Sequence, residues 1–336
     1  VSSLAIKKEF HDLENHAPQF TKNIHIDKKT RDDYLAFFTQ SSGADMLPYV
    51  YMESCDFYNN LIKNCEDYYL CKNETEIIKE NLDKFVKHFS GITDIIEIGP
   101  GSAYAVNNKT LPILNCAKNL KRYHAIDHSK NYLEEACLFI EKERPDIEIL
   151  GIEANLVHVG KIKVTSIKKG TKALLFLGST LGNFNTPQQD QIIEQFSNLL
   201  SLNDILIITV DTNQDEDSLL KAYSNNYTCN FVIGALNHYG KINHEFNNYL
   251  SDFEVKTTIN KLSNSVEFSF VTKKEISFHF KGYGGITLLK GQELKGIRSY
   301  KYTLENITSI LSKRSFEVIE TLNNSNKMQT FICKKV

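Results

Sequence analysis

The sequence has no C-x-x-C pair, no internal repeat and no excess of charge of one sign. It also has no apolar run near the roughly 20 residues of a membrane span. Each absence closes a class of function. The seven cysteines (Cys55, Cys65, Cys71, Cys116, Cys137, Cys229, Cys333) are odd in number and dispersed, which argues against a disulfide framework and for reduced thiols. Cys65 and Cys71 lack a Cys or His pair at ligand spacing, so no metal is expected. A net charge of −2 and the lack of a Lys/Arg cluster interleaved with aromatics argue against a nucleic-acid or acidic-membrane partner. The segment Val1–Phe10 has no signal-peptide apolar core, so a cytoplasmic protein is expected. With no apolar patch assignable, a monomer acting on a small molecule is the default expectation.

What is present changes character along the chain. Its 336 residues call for one enlarged domain or two. The first part, to about Ser90, reads as helical: Ile77, Ile78, Leu82, Phe85 and Val86 share one face of a helix predicted over Glu76–His88, which Ser90-Gly91 stops. Short apolar runs then alternate with amphipathic helices. Strands are predicted at Asp94–Ile98, Arg122–Ile126, Ile147–Gly151, Ala173–Leu177 and Ile205–Val210. Thr186 is the expected N-cap of a helix with Pro187 at its first position. The alternation predicts a doubly wound α/β sheet. From about Gln214 it gives way to a helix with Leu219, Leu220 and Tyr223. Strand-like segments follow at Val255–Ile259, Ser265–Thr272 and Glu275–Phe280. After Tyr302 a helix and the strand Gln329–Cys333 are expected, so the middle reads as an inserted lobe.

Gly99-Pro100-Gly101 follows the first strand, where backbone can come close to a ligand. Tyr104 stands where a dinucleotide fingerprint needs its third glycine, which argues against a pyrophosphate-bearing cofactor. Asp127 ends the second strand and can accept from ribose hydroxyls or cap the following helix; Glu97 is a ligand candidate or a loop-ordering acid. Asn155 and Leu156 follow the third strand, as adenine contacts or as turn residues. The order of acidic first strand, Gly-x-Gly turn and acidic second-strand end resembles class I methyltransferases, which implies a Rossmann-like sheet and S-adenosylmethionine as cofactor.

Phe176-Leu-Gly-Ser-Thr-Leu-Gly-Asn-Phe184 closely resembles the hallmark loop of the histidine Nα-methyltransferase family of ergothioneine biosynthesis. Tyr51 to Tyr69, Glu74, Ala222-Tyr223, Phe231, Asn237, Gly291–Lys295 and Ser299–Tyr302 extend the resemblance over roughly residues 48–335. It implies an N-methyltransferase acting on the α-amino group of a free amino acid or derivative. Residues 70–213 and 302–336 would bind cofactor, including Gly178. Residues 214–301 would be an inserted α+β substrate lobe to which segment 1–69 contributes. Asn183 and Tyr223 would grip the substrate carboxylate, Tyr51 would orient the amine, and Tyr68 would line the pocket or simply pack.

The pocket departs from the family where side-chain choice is made. In the histidine enzymes a glutamate at the position of Ile297 and the serine matched by Ser299 together hold the imidazole, and a methionine lining the same pocket stands where Phe268 does. Losing the imidazole's buried partner costs about 1–3 kcal/mol, so an apolar or aromatic amino acid is expected in place of histidine, although Arg298 or Ser299 could bind a polar tail. Two rival readings remain at this level: transfer or cyclisation of the cofactor's aminocarboxypropyl group, and a non-catalytic cofactor-binding module.

Overall fold

The structure, a computed structural model, describes residues 27–53, 55–154, 170–325 and 327–336. A seven-stranded sheet forms the centre. Its strands are β1 (Asp94–Ile98), β2 (Arg122–Asp127), β3 (Glu148–Glu153), β4 (Lys172–Phe176) and β5 (Ile205–Asp211), with two later strands added on one side. Between β5 and those two come β6 (Phe253–Asn260), β7 (Ser265–Thr272), β8 (Ile276–Phe280), β9 (Gly284–Leu288) and β10 (Glu293–Tyr300). The two additions are β11 (Phe316–Leu322) and β12 (Met328–Lys335), giving the order β11-β12-β5-β4-β1-β2-β3. The first five strands are parallel, whereas β12 runs antiparallel to β5 and β11 to β12. This is a Rossmann-like α/β fold.

Every residue of β1, β4 and β5 is buried, as helices on both faces require. The chain turns outward in opposite directions from β1 and β4, which are neighbours. Their carboxyl ends therefore frame the crevice where ligands bind in such sheets.

Strands β6, β7 and β10 form a separate antiparallel sheet, and β8 and β9 a hairpin. The helix Lys28–Thr39 closes over them through an aromatic core. Phe37 meets Phe270 edge-on at 5.6 Å, and Phe38 packs on Phe246 and Phe278 at 5.2 and 5.1 Å. The phenol of Tyr34 donates to the Ala235 carbonyl at 2.7 Å, tying this helix to the helix Gly234–Ile242. Among the described residues no helix is long and apolar enough to cross a membrane.

Three local expectations are corrected. The predicted helix over 76–88 is two helices, Tyr69–Glu80 and Leu82–Phe89, broken at Asn81. The Asn81 amide donates to the Ile77 carbonyl at 2.8 Å, a side-chain bond that competes with the helical ladder. The break turns Val86 to solvent while Ile77, Ile78 and Phe85 stay buried. The N-cap before Pro187 is Asn185, not Thr186: its side chain and that of Gln188 exchange hydrogen bonds with each other's backbone, both at 3.0 Å, in a capping box. Strands β9, β10 and β11 were not predicted. The last two carry register shifts, at Lys295/Ile297 and Val318/Glu320, which interrupt the period-2 pattern by which strands are read.

Candidate active site

The turn after β1 needs its glycines for conformation. Gly99 and Gly101 have φ of +68° and +73°, where a side chain is strained, while an added Cβ at Gly99 would meet none of the described residues within 4 Å. Backbone can thus approach a ligand closely. The helix that follows is capped from within the protein: Ser102 is its N-cap, and the Ala103 N–H donates to the Glu135 carboxylate at 3.0 Å. A carboxylate on that helix start repels a phosphate, so the site disfavours a dinucleotide for a reason beyond the missing glycine.

Asp127 reaches back to this turn. Its carboxylate accepts from the backbone N–H groups of Ser129 (2.8 Å), His128 and Gly101, and burial raises its pKa. Both roles weighed for it from sequence are thus compatible with one geometry. It orders the start of the next helix, and it stands at the carboxyl end of β2 beside the glycine turn.

Glu97 corrects an expectation. It was a candidate cofactor ligand, but the side chain is 1% exposed and both oxygens are taken, by Thr110 Oγ1 (2.8 Å) and by the Tyr123 phenol. It braces the turn from beneath. Thr110 and Lys109 both sit on a π turn, Val106–Thr110, whose wider winding aims Thr110 at Glu97 and Lys109 at Glu74. Burial pushes the Glu97 pKa from 4.5 up to about 7, against the two hydrogen bonds. The folded protein then binds more protons than the unfolded chain between these values. The contribution of Glu97 should fall as pH rises through that window, by at most about 1.4 kcal/mol per pH unit. Urea unfolding of Glu97→Gln across pH 4–8 should lack this slope; an identical pH profile would refute the assignment.

The loop after β4 places two consecutive residues in the left-handed region, Gly178 (φ +77°) and Ser179 (φ +56°). Ser179 is held there because its hydroxyl accepts from the Asp211 N–H at 2.9 Å, which ties the loop to the end of β5. The Gly178 N–H donates to Glu74 at 2.7 Å, and the other oxygen of Glu74 pairs with Lys109 at 2.8 Å. Glu74 is fully buried, so this pair links the loop after β4 to the helix after β1. The 3-10 turn Thr180–Asn183 ends on Asn183, whose side chain hydrogen-bonds Tyr51.

Tyr223 ends the helix Glu216–Tyr223 and meets β10. On β10 residues 297 and 299 alternate onto one face, and Lys301 follows just past the strand's end. Ile297 is the direct cross-strand neighbour of Phe268, which in turn faces Thr257 on β6. Phe268 lies 6.0 Å from the Tyr223 ring and Tyr68 lies 5.9 Å from it. Tyr51, Tyr58 and Phe231 form a second aromatic group, with centroids 5.3 to 5.7 Å apart. Burial pushes the Tyr51 phenol up to about 12, only partly offset by Asn183, so it is neutral at physiological pH.

The structure thus brings Tyr223 together with Tyr68, Phe268 and Ser299, and Tyr51 with Asn183. Asn155 and Leu156 lie outside the described residues. Sequence reasoning missed the polar centre of the lobe. Lys301 Nζ lies 2.8 Å from Asp211 Oδ2, 2.7 Å from the Tyr223 phenol and 2.9 Å from Ser299 Oγ, and the Tyr69 phenol donates to Asp211 at 2.9 Å. Alternation from Ser299 could have flagged Lys301. Nothing local marks Asp211 as its partner.

Residues 49–335 match the family described as histidine-specific, SAM-dependent methyltransferase. The chain belongs to that family. It is similar to the N-methyltransferase imqF of Aspergillus flavus, 24% identical over 79% of this chain and 73% of the relative. It is also similar to the histidine N-alpha-methyltransferase of Mycolicibacterium smegmatis, 26% identical over 48% of this chain and 49% of the relative. Among solved structures, the magnesium protoporphyrin IX methyltransferase of Synechocystis PCC 6803 with bound SAH aligns over 86% of this chain and 98% of its own. It shares 11% identity at a TM-score of 0.45.

The protein is therefore an S-adenosylmethionine-dependent methyltransferase of the N-methyltransferase type. The residues present fit that cofactor, since the glycine turn offers backbone, Asp127 offers a carboxylate and the adjoining helix start excludes phosphate.

Proposed function

We propose that this methyltransferase acts on the α-amino group of a free amino acid or derivative with an apolar or aromatic side chain, and not on histidine. The observation that carries the reading is the pairing of Ile297 with Phe268 across β10 and β7, beside Tyr223 and with no carboxylate in that cross-strand row. An imidazole N–H directed there would meet no charged acceptor in place of the bonds it makes to water. An aromatic ring would instead bury against Phe268, Ile297 and Tyr68.

In this reading Gly99, Gly101, Asp127 and Gly178 bind the cofactor, with Asn155 and Leu156 against its adenine. Residues 70–213 and 302–336 form the cofactor side; the lobe 214–301 and the helices before residue 69 form the substrate side. When bound, S-adenosylmethionine would supply a methyl carbon on its sulfonium; the amine the residues present to it must be neutral, and the proton the nitrogen sheds would pass to solvent. The protein's task is positioning, which can lower such a barrier by several kcal/mol. Asn183 and Tyr223 hold the carboxylate. Tyr51, neutral and bonded to Asn183, aligns the amine through its phenol oxygen.

Incubation with S-adenosylmethionine and each proteinogenic amino acid, read by mass spectrometry, tests this. Methylation of an aromatic or aliphatic amino acid with S-adenosylhomocysteine formed is the expected result. Methylthioadenosine would instead indicate aminocarboxypropyl chemistry, and methylated histidine would overturn the side-chain assignment. Tyr223→Phe should raise the substrate KM about 10- to 100-fold, the weight of one hydrogen bond to a charged group. Cofactor affinity should stay within about twofold, and an unchanged KM would remove Tyr223 from the carboxylate site.

A further inference from the structure

An ammonium group can only donate, and it has three hydrogens to give. Lys301 has three acceptors within bonding distance: Tyr223 OH at 2.7 Å, Asp211 Oδ2 at 2.8 Å and Ser299 Oγ at 2.9 Å. Its side chain is 1% exposed, so no water takes one of those hydrogens. Both hydroxyl oxygens are therefore acceptors toward the lysine, and each keeps its own hydrogen for another partner. Among the described residues those hydrogens have little to bond. Tyr223 OH lies 3.4 Å from Asp211 Oδ2, which already accepts from Lys301 and from Tyr69 at 2.9 Å, and 3.5 Å from Ser299 Oγ. Both separations are at the limit of a hydrogen bond. The two hydroxyls stand side by side, close enough for the two oxygens of one carboxylate to take one hydrogen each.

We propose that Lys301 is a positioning residue that turns Tyr223 and Ser299 into a paired donor for the substrate carboxylate, so that the site selects a carboxylate over the matching carboxamide. The inference rests on the amino-acid reading given above and adds Ser299 and Lys301 to the carboxylate clamp. A carboxamide presents an NH₂ group in place of one oxygen. That group would meet a hydroxyl hydrogen pointing at it, donor against donor, and the hydroxyl could turn to accept from it only with the lone pair Lys301 leaves, giving up its own donation. Burial opposes the charge on Lys301, but Asp211 and the Tyr223 oxygen outweigh it and raise its pKa, so the donor pattern persists across the physiological range.

The deciding variant is Lys301→Met combined with Asp211→Asn. It removes a cation and an anion together, so the net charge of the site is unchanged and any altered selectivity reports hydrogen-bond direction. Binding of each amino acid and its carboxamide is measured by calorimetry with S-adenosylhomocysteine at saturation, and folding by thermal melting. In the wild type the carboxylate should bind at least about 30-fold more tightly than the carboxamide. In the double variant that preference should fall about tenfold, the carboxylate should weaken about 10- to 100-fold, and S-adenosylhomocysteine affinity should hold. A folded double variant that keeps the wild-type preference overturns the proposal and leaves Lys301 a structural bolt. Ser299→Ala retains the ion pair and serves if the double variant does not fold: its carboxylate preference should fall several-fold, and no change refutes the clamp. A wild type that binds no amino acid overturns the amino-acid reading and this inference with it, an outcome distinct from intact wild-type binding with unaltered variants.

Discussion

Asp211→Ala is expected to destabilise the fold by about 3–5 kcal/mol, the range for removing one partner of a buried ion pair. Lys301 would keep its charge between Tyr223 and Ser299 with no anion, and the Tyr69 phenol and the backbone N–H of Asn213, which donates to Asp211 at 3.0 Å, would lose their acceptor. The pair joins the end of β5 in the main sheet to the segment just after β10 in the lobe, so its loss should loosen the two against each other. The pH dependence identifies the cause. In the wild type the folded pKa of Lys301 is raised, so its stabilisation is complete below about 10.4 and is lost as pH rises through the folded value. In the variant, burial without a partner depresses that pKa, so stability should recover as pH rises toward the unfolded value. Urea unfolding at pH 7 and pH 9.5 measures both. A loss below about 1 kcal/mol, or no gain at the higher pH, would show that the pair does not hold the lobe.

Gly182→Ala is expected to lower kcat/KM about 100-fold, the cost of misplacing reacting groups by about 1 Å. The glycine has no positive φ; it is there for space. A Cβ at this position would lie 2.6 Å from the Tyr300 carbonyl oxygen, and backbone cannot yield as the tip of a side chain can. Either Asn183 moves with the 3-10 turn or β10 moves with Ser299 and Lys301. Both outcomes separate the groups proposed to hold the carboxylate. The destabilisation should be smaller, about 1–3 kcal/mol for overpacking, so the variant remains folded and the loss appears mainly as a higher KM. Steady-state kinetics beside a thermal melt decide it: kcat/KM within threefold of wild type would mean that loop and strand are not coupled in function.

Much of the architecture was legible in the residues because it depends on neighbours in sequence. β1 and β7 begin and end where alternation and apolar runs place them, and β2 to β6 differ by one or two residues at their ends. The glycine turn follows the same logic, since a positive φ is a property of one residue. The misses arise where local signal is overruled or silent. Asn81 breaks a good helical pattern with one side-chain bond, and register shifts hide β10 and β11. Which of its two readings Glu97 takes was not legible, because β1 is buried on both faces and period-2 alternation carries no information about which face its carboxylate occupies.

The sequence by itself determined the strand–helix alternation, the glycine turn, the acid ending β2 and a loop specific enough to name a family. Only the tertiary structure decided which polar groups meet. Glu74 bonds Gly178 across 104 positions, Tyr69 bonds Asp211 across 142 and Lys301 bonds Tyr223 across 78. The physical reason is that a buried charge must find a partner wherever the fold delivers one, and docking between distant elements leaves no periodic trace in the chain. The glycine turn and the acid beside it were therefore readable from local pattern, whereas the cluster of Lys301, Asp211, Tyr223 and Ser299 emerged only in the folded chain.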